Sequence, residues 1–235
     1  MKKIDLDITG MHCQSCVTLI TKRLEKEPGV SYVNVNLTTE KATVNFDESK
    51  VSEAKITTAI EGMGGYKVKI ITNNIDSRDY ETKKRNANLK KLKNLFLFSL
   101  LFAIPAFLIG MVFMWVGIEV PYRNYILFFL ATPVQFIVGA GIYKSAFGAL
   151  KNKSANMDTL IAIGTSAAYF YSVYVIFFNS MGDQYFEAAA VLITFVMLGR
   201  YLEAIAKGKT SEAIKKLMNL SPKMATVIRN GKEEK

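Results

Sequence analysis

The chain changes physical character once, near residue 95, and this change limits its possible folds more than any other feature. Residues 1–94 are polar and charged, whereas Leu95 to about Ile205 is dominated by uncharged apolar runs. A run of about 18 or more apolar residues reads as a membrane-spanning helix. Leu95–Val116, Tyr125–Ile142 and Thr159–Phe178 meet that description, with Pro105 a tolerated kink. A fourth candidate, about Tyr185 to Ile205, also holds Glu187, Arg200 and Glu203. The net charge of +10 sits mainly beside these runs: Lys83, Lys84, Arg85, Lys90, Lys91 and Lys93 before the first, Lys144, Lys151 and Lys153 after the second, Lys207 and Lys209 after the fourth. That is the distribution of charge retained on the cytosolic side. It predicts four crossings, both termini in the cytosol and contact with anionic headgroups of the lipid bilayer. An RNA-binding arm is the weaker reading because no aromatics interleave those charges, so no nucleic acid partner is expected. The first residues lack the apolar run of a signal peptide, which agrees with a cytosolic start.

The polar part alternates between two periodicities. Ile4, Leu6 and Ile8 suit a half-buried strand, and Val17, Leu19, Ile20 and Leu24 then recur at helical spacing up to Pro28-Gly29. Val33, Val35 and Leu37 alternate again, as do Ala42, Val44 and Phe46, with a hairpin turn at Thr38-Thr39-Glu40. A second helix over Ala54, Ile56, Ala59 and Ile60 closes at Gly62, Gly64 and Gly65, and Tyr66, Val68 and Ile70 make a last strand. The order βαββαβ is the ferredoxin-like α+β arrangement, with two helices on one face of an antiparallel sheet. The domains expected are 1–72 for this fold, 73–94 for a basic linker and the start of the first membrane helix, and 95–206 for an all-α four-helix membrane region. A cytosolic helix and the start of a further domain follow at 207–235.

The chain's two cysteines, Cys13 and Cys16, lie at the junction of the first strand and first helix in Gly10-Met11-His12-Cys13-Gln14-Ser15-Cys16. In a reducing compartment this spacing reads as a metal or redox pair rather than a disulfide staple. A loop position for Cys13 and a first-turn position for Cys16 let both sulfurs converge, and the positive helix end is expected to lower the thiol pKa. Two thiolates suit a soft ion such as Cu(I), with Ag(I) equally soft. Structural zinc would want four ligands, and no second such pair and only one histidine are present. A thioredoxin-type redox pair would need a different strand order. Met11 reads as an apolar plug under the loop. His12 reads as an exposed loop residue ahead of a pH-sensitive neighbour of the thiolates.

The Gly-Met-His-Cys-Gln-Ser-Cys segment, with the strand order and Pro28 to Val44, resembles the heavy-metal-associated domain of copper chaperones and copper-transporting P-type ATPases. Within that family the resemblance implies a copper rather than a zinc protein, since His12 stands where zinc transporters often carry an acid. Tyr66, where soluble chaperones often carry lysine, resembles the pump-attached form; an ordinary core aromatic is the equal alternative.

The resemblance continues through the membrane part, at Asn156-Met157-Asp158-Thr159-Leu160, Tyr185-Phe186-Glu187-Ala188-Ala189-Ala190 and Leu198-Gly199-Arg200-Tyr201-Leu202-Glu203. It implies that Met157 and Glu203 form a cytosolic entrance for the ion and that Glu187 lies on the exit route. It also implies that Gly139 and Gly141 bend the second helix into an interfacial platform near 143–152 that receives a cytosolic copper chaperone. From the residues alone, Met157 is an interface apolar residue, Glu203 a partner of Arg200 or Lys207, and the glycines helix-packing positions. Thr-Gly-Glu, Cys-Pro-Cys and Asp-Lys-Thr-Gly-Thr motifs do not occur, nor does a phosphate-cradling loop. The chain by itself is therefore expected to hold no nucleotide and hydrolyse none. The reading is the N-terminal part of a copper-exporting pump in the plasma membrane, whose remaining catalytic part is a partner. A free-standing tethered copper binder and a subunit of a split pump are the alternatives. Arg200 and the acidic side chains, exposed to lipid in a bare bundle, would be strained, which favours the pump.

Overall fold

The computed structural model describes residues 1–63, 65–71, 76–118, 120–178, 182–220, 227–229 and 232–234, with side chains at 1–63, 65–71, 83, 85–118, 120–178 and 182–208. The soluble part runs β1 (Lys2–Thr9), α1 (Gln14–Glu25), β2 (Val30–Asn36), β3 (Lys41–Phe46), α2 (Glu53–Glu61) and β4 (Lys67–Ile70). The strands pair antiparallel in the order β2-β3-β1-β4, which is the ferredoxin-like topology expected. Period-2 alternation puts Ile4, Leu6 and Ile8 on one face of β1, where Ile4 pairs with Val44 and Leu6 with Ala42. Ile20 and Leu24 of α1 and Ile56 and Ile60 of α2 close over that face with Phe46, all fully buried. Side chains of this size contribute about 1.5–3 kcal/mol each on burial. The Ser52 hydroxyl caps α2 by accepting the Lys55 N–H at 3.3 Å.

The second part is helical: α3 (Asp76–Phe107), a π-helical turn (Leu108–Val112), α4 (Phe113–Val116), α5 (Arg123–Pro133), a second π-helical turn (Val134–Val138), α6 (Ala140–Lys151), α7 (Met157–Phe178) and α8 (Phe186–Leu220). A short hairpin follows, β5 (Val227–Arg229) with β6 (Lys232–Glu234). The strand-and-turn expectation for residues 224–232 lies partly outside the described residues. Among the described residues three helices are long and apolar enough to cross a membrane, Arg85–Val116, Met157–Phe178 and Phe186–Gly208; Arg123–Val138 and Ala140–Lys151, bent by 55°, pass the same test only when taken together. Their buried faces carry small residues, Ala103, Ala106, Ala131, Ala162, Ala189 and Ala190, so the backbones approach closely. Their outer faces are apolar, with Leu101, Trp115, Phe129, Leu160 and Phe195 exposed.

The structure sharpens two boundaries. The charged residues 76–94 belong to one continuous helix with the first span, because Lys, Arg, Glu and Asn break no helical hydrogen bond. The second helix turns at Gly139 instead of running on to Ile142. A Cβ at Gly139 would overlap the Gln135 carbonyl oxygen, whereas a Cβ at Gly141 would meet open space. Gly139 alone is sterically required. Beyond it, α6 turns Phe147 and Leu150 outward and keeps Lys144 and Lys151 exposed, an amphipathic surface suited to the membrane interface.

Candidate metal centre

The loop between β1 and α1 is clamped from below. Gly10 adopts φ +107° and Gly65 φ +85°, both in the left-handed region that favours glycine. The two backbones touch, since a Cβ at Gly10 would overlap the Gly65 carbonyl. Met11 is fully buried beneath the loop. Cys13 takes the N-cap position of α1 with no side-chain cap, and the Cys16 N–H donates to the Cys13 carbonyl at 3.0 Å. This first turn brings the two sulfurs to 3.5 Å, both as free thiols, Cys16 buried and Cys13 half-buried. An ion in line between two sulfurs at about 2.3 Å each, the zinc–sulfur bond length, needs them about 4.6 Å apart. Cys13 is the less confined of the two. Among the described residues no cluster of three or more His, Cys, Asp or Glu is placed to hold a metal ion.

The electrostatics correct two expectations. Burial pushes the Cys16 thiol up, although the Tyr66 hydroxyl and the His12 backbone N–H both hydrogen-bond its sulfur and pull the other way. The net direction at Cys16 is thus upward, opposite to the lowering expected at a helix end, with desolvation of the thiolate the largest cause. Tyr66 is buried and is both a core aromatic and a neighbour of the sulfur; its phenol is pushed up by burial and then by Cys16. His12 does not point into solvent. It is half-buried and its imidazole is lowered to about 4, first by burial and then by Arg200. Glu203, Asp158 and Lys207 act on it as well, so the loop faces the start of α7 and the stretch of α8 around Glu203.

Those helix ends are held by charge. Arg200 on α8 pairs with Asp158 on α7, and both are buried. Arg200 is thus not exposed to lipid as anticipated. Glu203 pairs with Lys207 at 2.9 Å, one turn further along α8. Met157, adjacent to Asp158 at the start of α7, is 44% exposed. The Asp158–Arg200 pair brings the start of α7 level with the stretch of α8 that carries Glu203. Glu187 lies about 24 Å from Glu203 along α8, near the opposite end of the bundle. Its carboxylate packs on Gly110, where any Cβ would collide with it, and its Oε2 has no hydrogen-bond partner. The Gly110 carbonyl, in the first π-helical turn, accepts from the Arg123 guanidinium.

Sequence reasoning did not single out Asp158, Arg123, Gln135 or Asn152. Gln135 donates to the Tyr143 hydroxyl, which bonds Ser166 at 2.8 Å, so a polar chain runs from the second π-helical turn across the bend to α6 and on to α7. The available signal was a buried polar residue within an apolar span, which is costly unless partnered.

The heavy-metal-associated domain family matches residues 5–67. Along 99% of its length the chain is 39% identical to the copper-exporting P-type ATPase of Bacillus subtilis (strain 168), and 41% identical to that of Staphylococcus aureus (strain MRSA252). It spans 30% and 29% of those proteins. A solved N-terminal domain of a potential copper-translocating P-type ATPase from Bacillus subtilis, in the Cu(I)-loaded state, is 35% identical; 31% of this chain and 92% of that one align, with a TM-score of 0.29. Residues 5–67 thus form a heavy-metal-associated domain, and from end to end the chain matches the N-terminal part of copper-exporting P-type ATPases, that domain followed by helices long and apolar enough to cross a membrane.

Proposed function

We propose that this chain binds Cu(I) between the Cys13 and Cys16 thiolates and delivers it into a membrane transport path, as part of a Cu(I)-exporting pump. Met157 and Glu203 serve as the cytosolic entrance and Glu187 as the exit. A thioether and two thiolates are soft donors that bind a soft monovalent ion and release it to one another, and Ag(I) is expected to follow the same route. The exposed face of α6 beyond the Gly139 bend receives a cytosolic copper chaperone. Both termini are cytosolic and the protein resides in the plasma membrane. The observation that supports this reading most directly is the pair of sulfurs 3.5 Å apart on a loop whose His12 feels the charges of Arg200, Glu203 and Asp158.

The test is a Cu(I) competition titration of the chain in detergent. Cys13→Ser or Cys16→Ser is expected to abolish tight binding, because one thiolate cannot hold the ion alone. Met157→Leu and Glu203→Gln are expected to leave that binding intact and to impair copper flux in the complete pump. A double serine variant that bound Cu(I) as strongly as the native chain would overturn the assignment.

A further inference from the structure

Lys207 joins three parts of the chain. Its ammonium meets the Glu203 carboxylate at 2.9 Å within α8. The same nitrogen meets the Glu40 carboxylate at 3.0 Å and donates to the Met11 carbonyl at 3.2 Å. An ammonium has three N–H donors, and these three acceptors use them all. One acceptor belongs to the membrane helix, one to the β2–β3 turn, and one to the loop two residues before Cys13. The Lys207 side chain is 17% exposed, so water competes weakly for these bonds.

The turn residue has an unusual backbone. Glu40 sits at φ +57°, and its carbonyl accepts the Ile8 N–H at 2.8 Å. That conformation favours glycine or asparagine, and a glutamate there costs backbone energy that the turn itself does not return. The ion pair with Lys207 gives the side chain a use. Two backbone contacts seat the domain beside it: Asn152 donates to the Met63 carbonyl at 3.2 Å, and Gly65 faces Ser145.

We propose that Lys207 is a positioning residue for the handover of copper. It seats the Cys13/Cys16 loop of the chain's own soluble domain on the membrane helices, and it holds Glu203 towards that loop with the same ammonium. This role rests on the reading of the cysteines as copper donors and of Glu203 as an acceptor.

The experiment uses the full chain in phosphatidylcholine/phosphatidylglycerol nanodiscs, with zero-length carbodiimide cross-linking, amide hydrogen exchange and Cu(I) competition. A Lys207–Glu203 cross-link, internal to α8, reports reagent access, and a Lys207–Glu40 cross-link reports the seat. Both are expected, and Glu40→Asn removes only the second. Exchange at residues 10–16 is expected to rise about tenfold in Lys207→Gln and in Glu40→Asn, since each loses a charge-assisted hydrogen bond. The double variant exchanges no faster than either single one, and Lys207→Arg stays near the native rate. Asparagine is chosen because it accepts the left-handed backbone, so the hairpin itself is not weakened. A Lys207–Glu203 cross-link without Lys207–Glu40, unchanged exchange, or additive effects would overturn the seat while leaving copper binding by the cysteines intact. Failure of the native chain to bind Cu(I) would overturn the handover role even with the cross-link present.

Discussion

Gly10 carries the metal loop through φ +107° with its α-carbon against the Gly65 carbonyl. Gly10→Ala must displace backbone as well as adopt a disfavoured conformation. It is expected to destabilise the soluble domain by about 1–3 kcal/mol, read as a lower urea midpoint for protection of β1 and β3 amides. Glu27 offers a pH test. It is buried; burial pushes its carboxyl up, but Arg23 at 2.5 Å and Lys55 at 3.3 Å outweigh this and hold it below the usual carboxylate range. A carboxyl lowered on folding adds stability above its unfolded pKa, about 4.3, and loses it as the pH falls through the folded value. Glu27→Gln is therefore expected to cost about 1 kcal/mol at neutral pH, and the gap should close below about pH 4 in denaturant titrations. Residues whose surroundings lie nearby in sequence were legible: Met11 under its loop and the Cys13/Cys16 spacing follow from local pattern. His12 was not, because the groups around it come from α7 and α8, far along the chain.

The bend at Gly139 separates two glycines that look equivalent in sequence. Gly139→Ala forces the new methyl into the Gln135 carbonyl and against the Tyr143 ring at 3.3 Å, while Gly141→Ala fills open space. The first is expected to lower the thermal midpoint in detergent by several degrees and to change the α5–α6 angle in spin-label distance measurements; the second should do neither. Both π-helical turns lie just beyond a proline, Leu108–Val112 after Pro105 and Val134–Val138 after Pro133. Proline removes a backbone donor, and the widened turns re-aim the residues that follow. The carbonyl of Gly110 and the amide of Gln135, which engage Arg123 and Tyr143, both sit in them. Hydrophobic run length gave the helices their approximate extents but not these turns, since a π-helical turn leaves the apolar composition unchanged. The strand order of the soluble fold was legible because alternation in Ile4, Leu6 and Ile8, and in Ala42, Val44 and Phe46, fixes which face is buried.

The two parts of the molecule meet through residues widely separated in the chain: Lys207 reaches the Met11 carbonyl across 196 positions and Glu40 across 167. No local pattern encodes such a contact, which is why Lys207 read only as flanking charge and as an i,i+4 partner of Glu203, the pair the structure contains. Beneath it, the buried Asp158–Arg200 pair fastens α7 to α8. Arg200→Gln strands Asp158 without its cation and is expected to cost about 3–5 kcal/mol, with the Asp158→Asn/Arg200→Gln double variant less damaged than either single one; thermal unfolding in detergent checks both. The bend has a further consequence for the surrounding lipid. The eleven residues of α5 and the five of the turn after it reach only about 24 Å before the chain turns, against a hydrocarbon thickness of about 30 Å. Lipids beside this short span must tilt or thin to meet it. A membrane crossed by this span is thinnest beside it, on the side where the soluble domain meets α6 through Asn152 and α8 through Lys207.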